Sequence, residues 1–107
     1  MKVYFDERSA APSGWIAASR PQQAIAYMQT GNVEVINLQT DQSTDRFGTT
    51  MDIMEWVKRA ILNYGLIPPR FKFHGDNEIN RERLEIEVLK INSLYRVRGQ
   101  GARRFVE

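Results

Sequence analysis

The segment "VINLQTDQSTDR", Val35 to Arg46, decides how the rest of the chain is read. Its first residues are an apolar, strand-like run that ends at Leu38 and opens into Gln39, Thr40 and Asp41. In α/β proteins the carboxyl end of a strand is where ligands and chemistry gather. The segment therefore asks two things at once: whether the chain is a parallel α/β domain, and whether its loop still carries a working site.

Working outward, Lys2 to Phe5 reads as a first strand that stops at Asp6 and Glu7. The stretch "SAAPSG" leads to Trp15, and Trp15 to Ala18 form a brief second strand. Ser19 or Arg20 before Pro21 starts a helix, because proline in the first turn gives up only an N–H that would be unpaired anyway. Gly31 can end this helix, and Val33 to Leu38 is the third strand. Residues 39 to 49 are a polar loop. Ile53, Trp56, Val57, Ala60, Ile61 and Tyr64 then recur at three- and four-residue steps, the spacing of one helical face. Gly65 and Pro68-Pro69 close that helix, "RFKFH" alternates as a strand does, and Leu84, Val88, Ile91 and Tyr95 mark a last helix capped by Asn77 or Asn80.

Strands alternating with helices through short loops imply a parallel sheet with right-handed crossovers. The expected fold is a small three-layer α/β domain, a truncated doubly wound sheet of three to four strands with three helices. At 107 residues one domain is expected, spanning 1 to 94. Residues 1 to 94 carry 11 Lys and Arg against 12 Asp and Glu, a net of −1. Residues 95 to 107 carry four arginines against Glu107, a net of +3, so the net charge of +2 belongs to a basic, flexible C-terminal tail. That tail is a candidate nucleic-acid contact. Its "GQG" follows a helix and lacks the third glycine of a dinucleotide fingerprint.

A hydrophobic content of 42% with 26% charged residues is ordinary for a folded, water-soluble domain. No apolar run is long enough to span a bilayer and no signal peptide is evident, so a cytoplasmic protein without membrane partners is expected. The chain has no cysteine, which excludes disulfides and thiolate chemistry, and His74 is the only histidine. Zinc, haem and iron–sulfur centres are not expected.

The carboxyl rim of the expected sheet gathers Asp6, Glu7, Gln39 to Asp41 and His74 to Asn77. Carboxylates at adjacent strand ends suit Mg²⁺, which could in turn clamp a phosphate. Arg81 and Arg83, in the first turn of the last helix, would favour an anion there, since guanidinium forks and free backbone N–H groups both suit phosphate. Each residue also has a plainer reading. Asp6-Glu7 can be a solvated turn, His74 a surface residue, Asn77 a helix cap, and Asp52 a helix-terminus acid. Arg81 and Arg83 can pair with Glu82, Glu85 and Glu87, and Trp15 and Trp56 can be core or core-rim residues.

"VYFDERSAAPSGW", "NVEVINLQTDQ", "TTMDIMEWV" and "FHGDNEINRERL" fall in the order and spacing of a known family. Over about residues 2 to 91 the chain resembles the cyclic-phosphate processing receiver-like domain, a relative of response-regulator receivers found in bacteria and phages. That family typically reads LDDxRxxPxGW, ISLDHDLG, TGxDV and VHSxNPxGR. The resemblance implies a receiver-like fold and a role in handling cyclic phosphate ends of nucleotides or RNA. Asp6, Pro12, Gly14, Trp15, Leu38, Asp41, Asp52, His74, Asn77 and Arg81 match its motifs. Glu7 replaces the second acid of the first pair, and Ser9 stands at the arginine position beside Arg8. Gln39 and Thr40 stand where the central acid and histidine are usual. Thr50 replaces a glycine, and Gly75, Glu78 and Asn80 replace serine, proline and glycine.

On this resemblance Asp6, Glu7 and Asp41 would hold Mg²⁺, with His74 and Asp41 catalytic. Asn77, Arg81 and Arg8 would bind a nucleotide or RNA end. The enzyme, if it is one, would be a metal-assisted phosphoesterase. Gln39 cannot supply the charge of the missing acid, and Thr40 removes a paired-imidazole mechanism. Ligand binding without efficient turnover is therefore the favoured expectation. The alternative is a non-enzymatic interaction protein, phage-encoded, that uses the receiver scaffold to bind a host protein or nucleic acid.

Overall fold

The structure, a computed structural model, describes residues 1–41 and 48–106, with side chains outside that gap described as far as residue 98. The elements are β1 (Lys2–Phe5), β2 (Ile16–Ala18), α1 (Pro21–Gln29), β3 (Val35–Gln39), α2 (Thr50–Tyr64), β4 (Arg70–His74) and α3 (Glu78–Val106). Their order is the one read from the sequence. The four strands pair in parallel throughout, in the order β2-β1-β3-β4.

The register explains where the core sits. Val3, Ile36 and Phe71 share one row across the sheet, and Phe5, Leu38 and Phe73 share another two residues on. Residues two apart on a strand lie on the same face, so these six make one apolar surface. Val3, Phe5, Ile36 and Leu38 are fully buried there. They form one cluster with Ala24 and Met28 of α1, Ile53, Met54, Val57 and Ile61 of α2, and Leu84 and Ile91 of α3. Each large side chain so buried contributes roughly 1.5–3 kcal/mol.

The expected third layer is absent from the described residues. α1 packs on α2 and α2 on α3, and all three contribute to the single core on the Val3–Phe5 face. The link between β1 and β2, residues 6–15, contains no helix. Because parallel crossovers keep one hand, a helix in that link would be the one to cover the opposite face. Among the described residues the domain thus has two layers, with one sheet face bare of helices.

Local chemistry fixes the helix ends that border the site. Thr49 accepts a hydrogen bond from the Asp52 N–H, and Asp52 Oδ2 accepts one from the Thr49 N–H at 2.7 Å, a reciprocal cap that gives Asp52 its helix-terminus role. Gly65 closes α2 in the left-handed conformation at φ 69°. Of the two candidate caps for α3, Asn77 is the one used, its Oδ1 accepting from the Asn80 N–H at 3.0 Å. Glu87 does not serve Arg81 or Arg83. It pairs instead with Lys58 of α2 at 2.8 Å and with Lys90 at 3.4 Å, tying α2 to α3.

α3 continues through residue 95, where the sequence suggests that a tail begins. Part of the polar loop expected over residues 39 to 49 lies outside the described residues. Among the described residues no helix is long and apolar enough to cross a membrane. Trp56 packs at the rim of the core as expected. Trp15 differs. It is half-buried beside Tyr4, on the face that no helix covers.

Candidate functional site

β1, β3 and β4 end side by side, and Gln39 lies level with His74. The loop after β1 turns on Asp6. Its Oδ1 accepts hydrogen bonds from the backbone N–H groups of Arg8 and Ser9, both at 2.8 Å, the bonding of an aspartate-nucleated turn. Its Oδ2 lies 2.9 Å from Nε2 of His74. Burial alone would push the Asp6 carboxyl up. The Ser9 and Arg8 donors, reinforced by His74, outweigh burial and hold it below its ordinary value of 3.8.

His74 is held from three sides. Its Nδ1 lies 2.6 Å from Oδ1 of Asn37, its Nε2 faces Asp6, and its ring stacks on Tyr4 with centroids 4.2 Å apart and planes 12° from parallel. Two arrangements satisfy both nitrogens. A doubly protonated ring donates to Asn37 Oδ1 and to Asp6, or a turned Asn37 amide donates to Nδ1 while Nε2–H donates to Asp6. In either one, no ring nitrogen is left over for a substrate. Burial, and then the Asp6 charge, raise the Tyr4 hydroxyl above its ordinary range.

Gln39 performs a structural task of the same kind. It is 6% exposed, and its Oε1 accepts from the Glu7 N–H at 2.8 Å, joining the ends of β1 and β3 at the point where strand order reverses. The crevice in which such folds usually hold a ligand is here bridged by an amide.

Beside it a cleft of about 250 Å³ opens between the end of β3 and the first turns of α2 and α3. Thr40, Asp41, Thr49, Thr50, Asn80 and Arg83 are among the residues that line it. The Thr50 hydroxyl donates to the Gln39 carbonyl at 2.9 Å, and the Asn80 amide donates to the Thr40 carbonyl at 3.1 Å, so both helices are pinned to the strand end. The Thr40 hydroxyl is buried without a hydrogen-bond partner among the described residues. Arg83 is exposed and makes no ion pair among them.

A family model described as the cyclic-phosphate processing receiver domain matches residues 1–89. The chain belongs to that family. Nothing among curated proteins or solved structures matches it. In this receiver-family chain the motif positions divide between two places. Asp6 and His74 meet on the uncovered sheet face, joined there by Asn37 and Tyr4. Asp41 and Asn77 line a shallow, acidic depression with Asp76, Glu78 and Ile79. Arg81 donates from Nη2 to the Phe73 carbonyl at 3.5 Å, while Arg8 meets Asp6 through its backbone N–H.

Of the acids expected to hold Mg²⁺, Asp6 and Asp41 lie in different places. Both Asp6 oxygens are engaged, and Asp41 lines the separate cleft and depression. Among the described residues no group of three or more His, Asp or Glu could hold a metal ion.

Sequence reasoning missed Tyr4 and Asn37, and it did not single out the cleft. One signal was present: Asn37 interrupts an otherwise apolar strand, where asparagine is disfavoured unless its amide has a partner.

Proposed function

We propose that this receiver-family chain binds a phosphate-bearing ligand, such as a cyclic nucleotide or an RNA end, without turning it over efficiently. The observation that carries the reading is the cleft beside Thr40. There the Arg83 guanidinium, without an ion pair among the described residues, and the second N–H of the Asn80 amide supply donors suited to a phosphate, with Asp41 as the one acid among the described lining residues. Absence of efficient turnover follows from two engaged residues. Gln39 holds the Glu7 N–H where the family has an acid, and the only histidine has both ring nitrogens occupied.

The test combines binding and product analysis. With 2′,3′-cyclic nucleotides the melting temperature should rise with ligand concentration. Arg83→Ala should weaken binding by tenfold or more, and chromatography should show no ring-opened product above the buffer rate. No ligand-dependent shift would overturn the binding reading, and hydrolysis abolished by His74→Ala would overturn the absence of turnover. The bare sheet face favours a second reading, an interaction protein whose partner docks away from this cleft.

A further inference from the structure

The face left uncovered by the missing crossover helix has an ordered composition. Lys2, Val35 and Arg70 form one row across β1, β3 and β4, and Tyr4, Asn37 and Lys72 form the next, with Ala17 of β2 beside Tyr4. Gln39 and His74 follow, with Asp6 reaching His74 from the end of β1. Trp15 stands at the other side. Its ring is edge-on to Tyr4 at 6.2 Å, and the Lys2 ammonium lies 5.4 Å from its centroid.

Two properties set this surface apart from an ordinary solvated sheet. First, its cations are uncompensated. Lys2, Arg70 and Lys72 are exposed and make no ion pair among the described residues. Asp6, which reaches this face from the end of β1, has both oxygens engaged by backbone N–H groups and His74. Second, the cations adjoin half-buried rings: Trp15 beside Lys2, and Tyr4, in the row of Lys72, stacked on His74 of the next row. Phosphates are drawn by the first property and bases by the second. Unpaired bases stack on aromatic side chains held by a sheet, while lysine and arginine follow the backbone. A duplex hides its base faces and could use only the cations. An acidic peptide would likewise leave the rings idle.

We propose that the helix-free face of the sheet binds single-stranded nucleic acid through Lys2, Arg70 and Lys72, with bases stacking at Trp15 and at the Tyr4–His74 pair. This site is separate from the cleft beside Thr40 and does not depend on its ligand. The ring stack then has a use that catalysis does not give it. Asn37 and Asp6 hold the imidazole at both nitrogens, and with the stacked Tyr4 they make a rigid platform.

Fluorescence anisotropy of the full chain with labelled twelve-nucleotide oligo(U) and oligo(dT), against a hairpin duplex of equal length, tests the proposal. Single strands should bind at least tenfold more tightly than the duplex. The exposed-residue variant Arg70→Glu/Lys72→Glu should weaken single-strand binding by tenfold or more while leaving the melting temperature within a few degrees. Arg70→Ala/Lys72→Ala should reduce the slope of log affinity against log salt by about 0.7 for each cation removed. In a Trp56→Phe background, fluorescence from Trp15 should be quenched by the single strand. Arg96→Ala/Arg98→Ala on α3 should change affinity less than twofold. Loss of binding in that α3 variant but not in the sheet variants would overturn the proposal. So would equal affinity for the duplex, or an absence of saturable binding at low salt. A dimer in sedimentation equilibrium that Arg70→Glu/Lys72→Glu dissociates would assign the face to a second copy of the chain and overturn it as well.

Discussion

His74 and Asp6 are 68 positions apart in the chain, yet Nε2 of one lies 2.9 Å from Oδ2 of the other. Their meeting joins the ends of β1 and β4 across the intervening β3, and it leaves Asp6 with no spare oxygen. The pair is a structural clasp at the rim of the sheet before it is anything else.

Removing the Asp6 carboxylate should therefore cost more than a surface acid would. Asp6→Ala strips acceptors from the Arg8 and Ser9 N–H groups and from His74, and should destabilise the domain by about 2–4 kcal/mol in urea unfolding. Asp6→Asn retains an oxygen for the turn and should cost less than half as much. Equal losses would show that the turn hydrogen bonds contribute little.

The pH profile carries a definite sign. Asp6 is held below its ordinary 3.8, and Glu87, through Lys58 and Lys90, is held below its ordinary 4.5. A group whose folded pKa is depressed contributes stability above its unfolded pKa and loses it as pH falls through the folded one. The melting temperature should accordingly be flat down to about pH 5 and fall below it. Glu87→Gln should flatten that fall. Lys58 is raised above 10.5, mainly by Glu55 and then Glu87, so its contribution is complete below that value and is lost as pH rises through the folded pKa. A melting temperature that rises on acidification would contradict these assignments.

Restoring the family acid should not restore chemistry. Gln39→Asp shortens the side chain by one methylene, leaves the Glu7 N–H unpaired and places a carboxylate at a buried position. A loss of about 2–4 kcal/mol is expected at pH 7, shrinking as the pH falls and the carboxyl protonates. Cyclic-nucleotide hydrolysis should stay at background. Hydrolysis appearing in this variant would mean that His74 can leave its two partners.

Gly75 sits at φ +114°, where a side chain is strained, and a Cβ there would collide with the Thr40 hydroxyl. Gly75→Ala should destabilise by about 2 kcal/mol or more. Thr40→Ala removes the colliding oxygen and a buried hydroxyl that has no partner among the described residues, so it should recover about 1 kcal/mol of that loss in the double variant. Additive effects would place the whole penalty on the backbone.

Much of the molecule was legible from local chemistry. β1 was read at the Lys2–Phe5 it occupies, Pro21 and Gly65 mark a helix start and a helix end, and the Ile53-to-Tyr64 spacing marks the α2 face that fills the core. These features depend on neighbours within a turn or two, and so residue type and spacing suffice. The motif strings also placed the chain in its family. Three other matters were settled only by packing. The number of layers depends on a helix that the β1–β2 link does not form. The roles of Gln39, Asn37 and Tyr4 depend on which atoms face them across strands, with partners 32, 37 and 70 residues away in sequence for Gln39, Asn37 and Tyr4. The division of the expected single site into a clasp on the bare face and a depression at the start of α3 follows from the side of the sheet on which each strand end emerges. A one-dimensional string records which residues end their strands, but only the assembled sheet decides on which side each of them emerges.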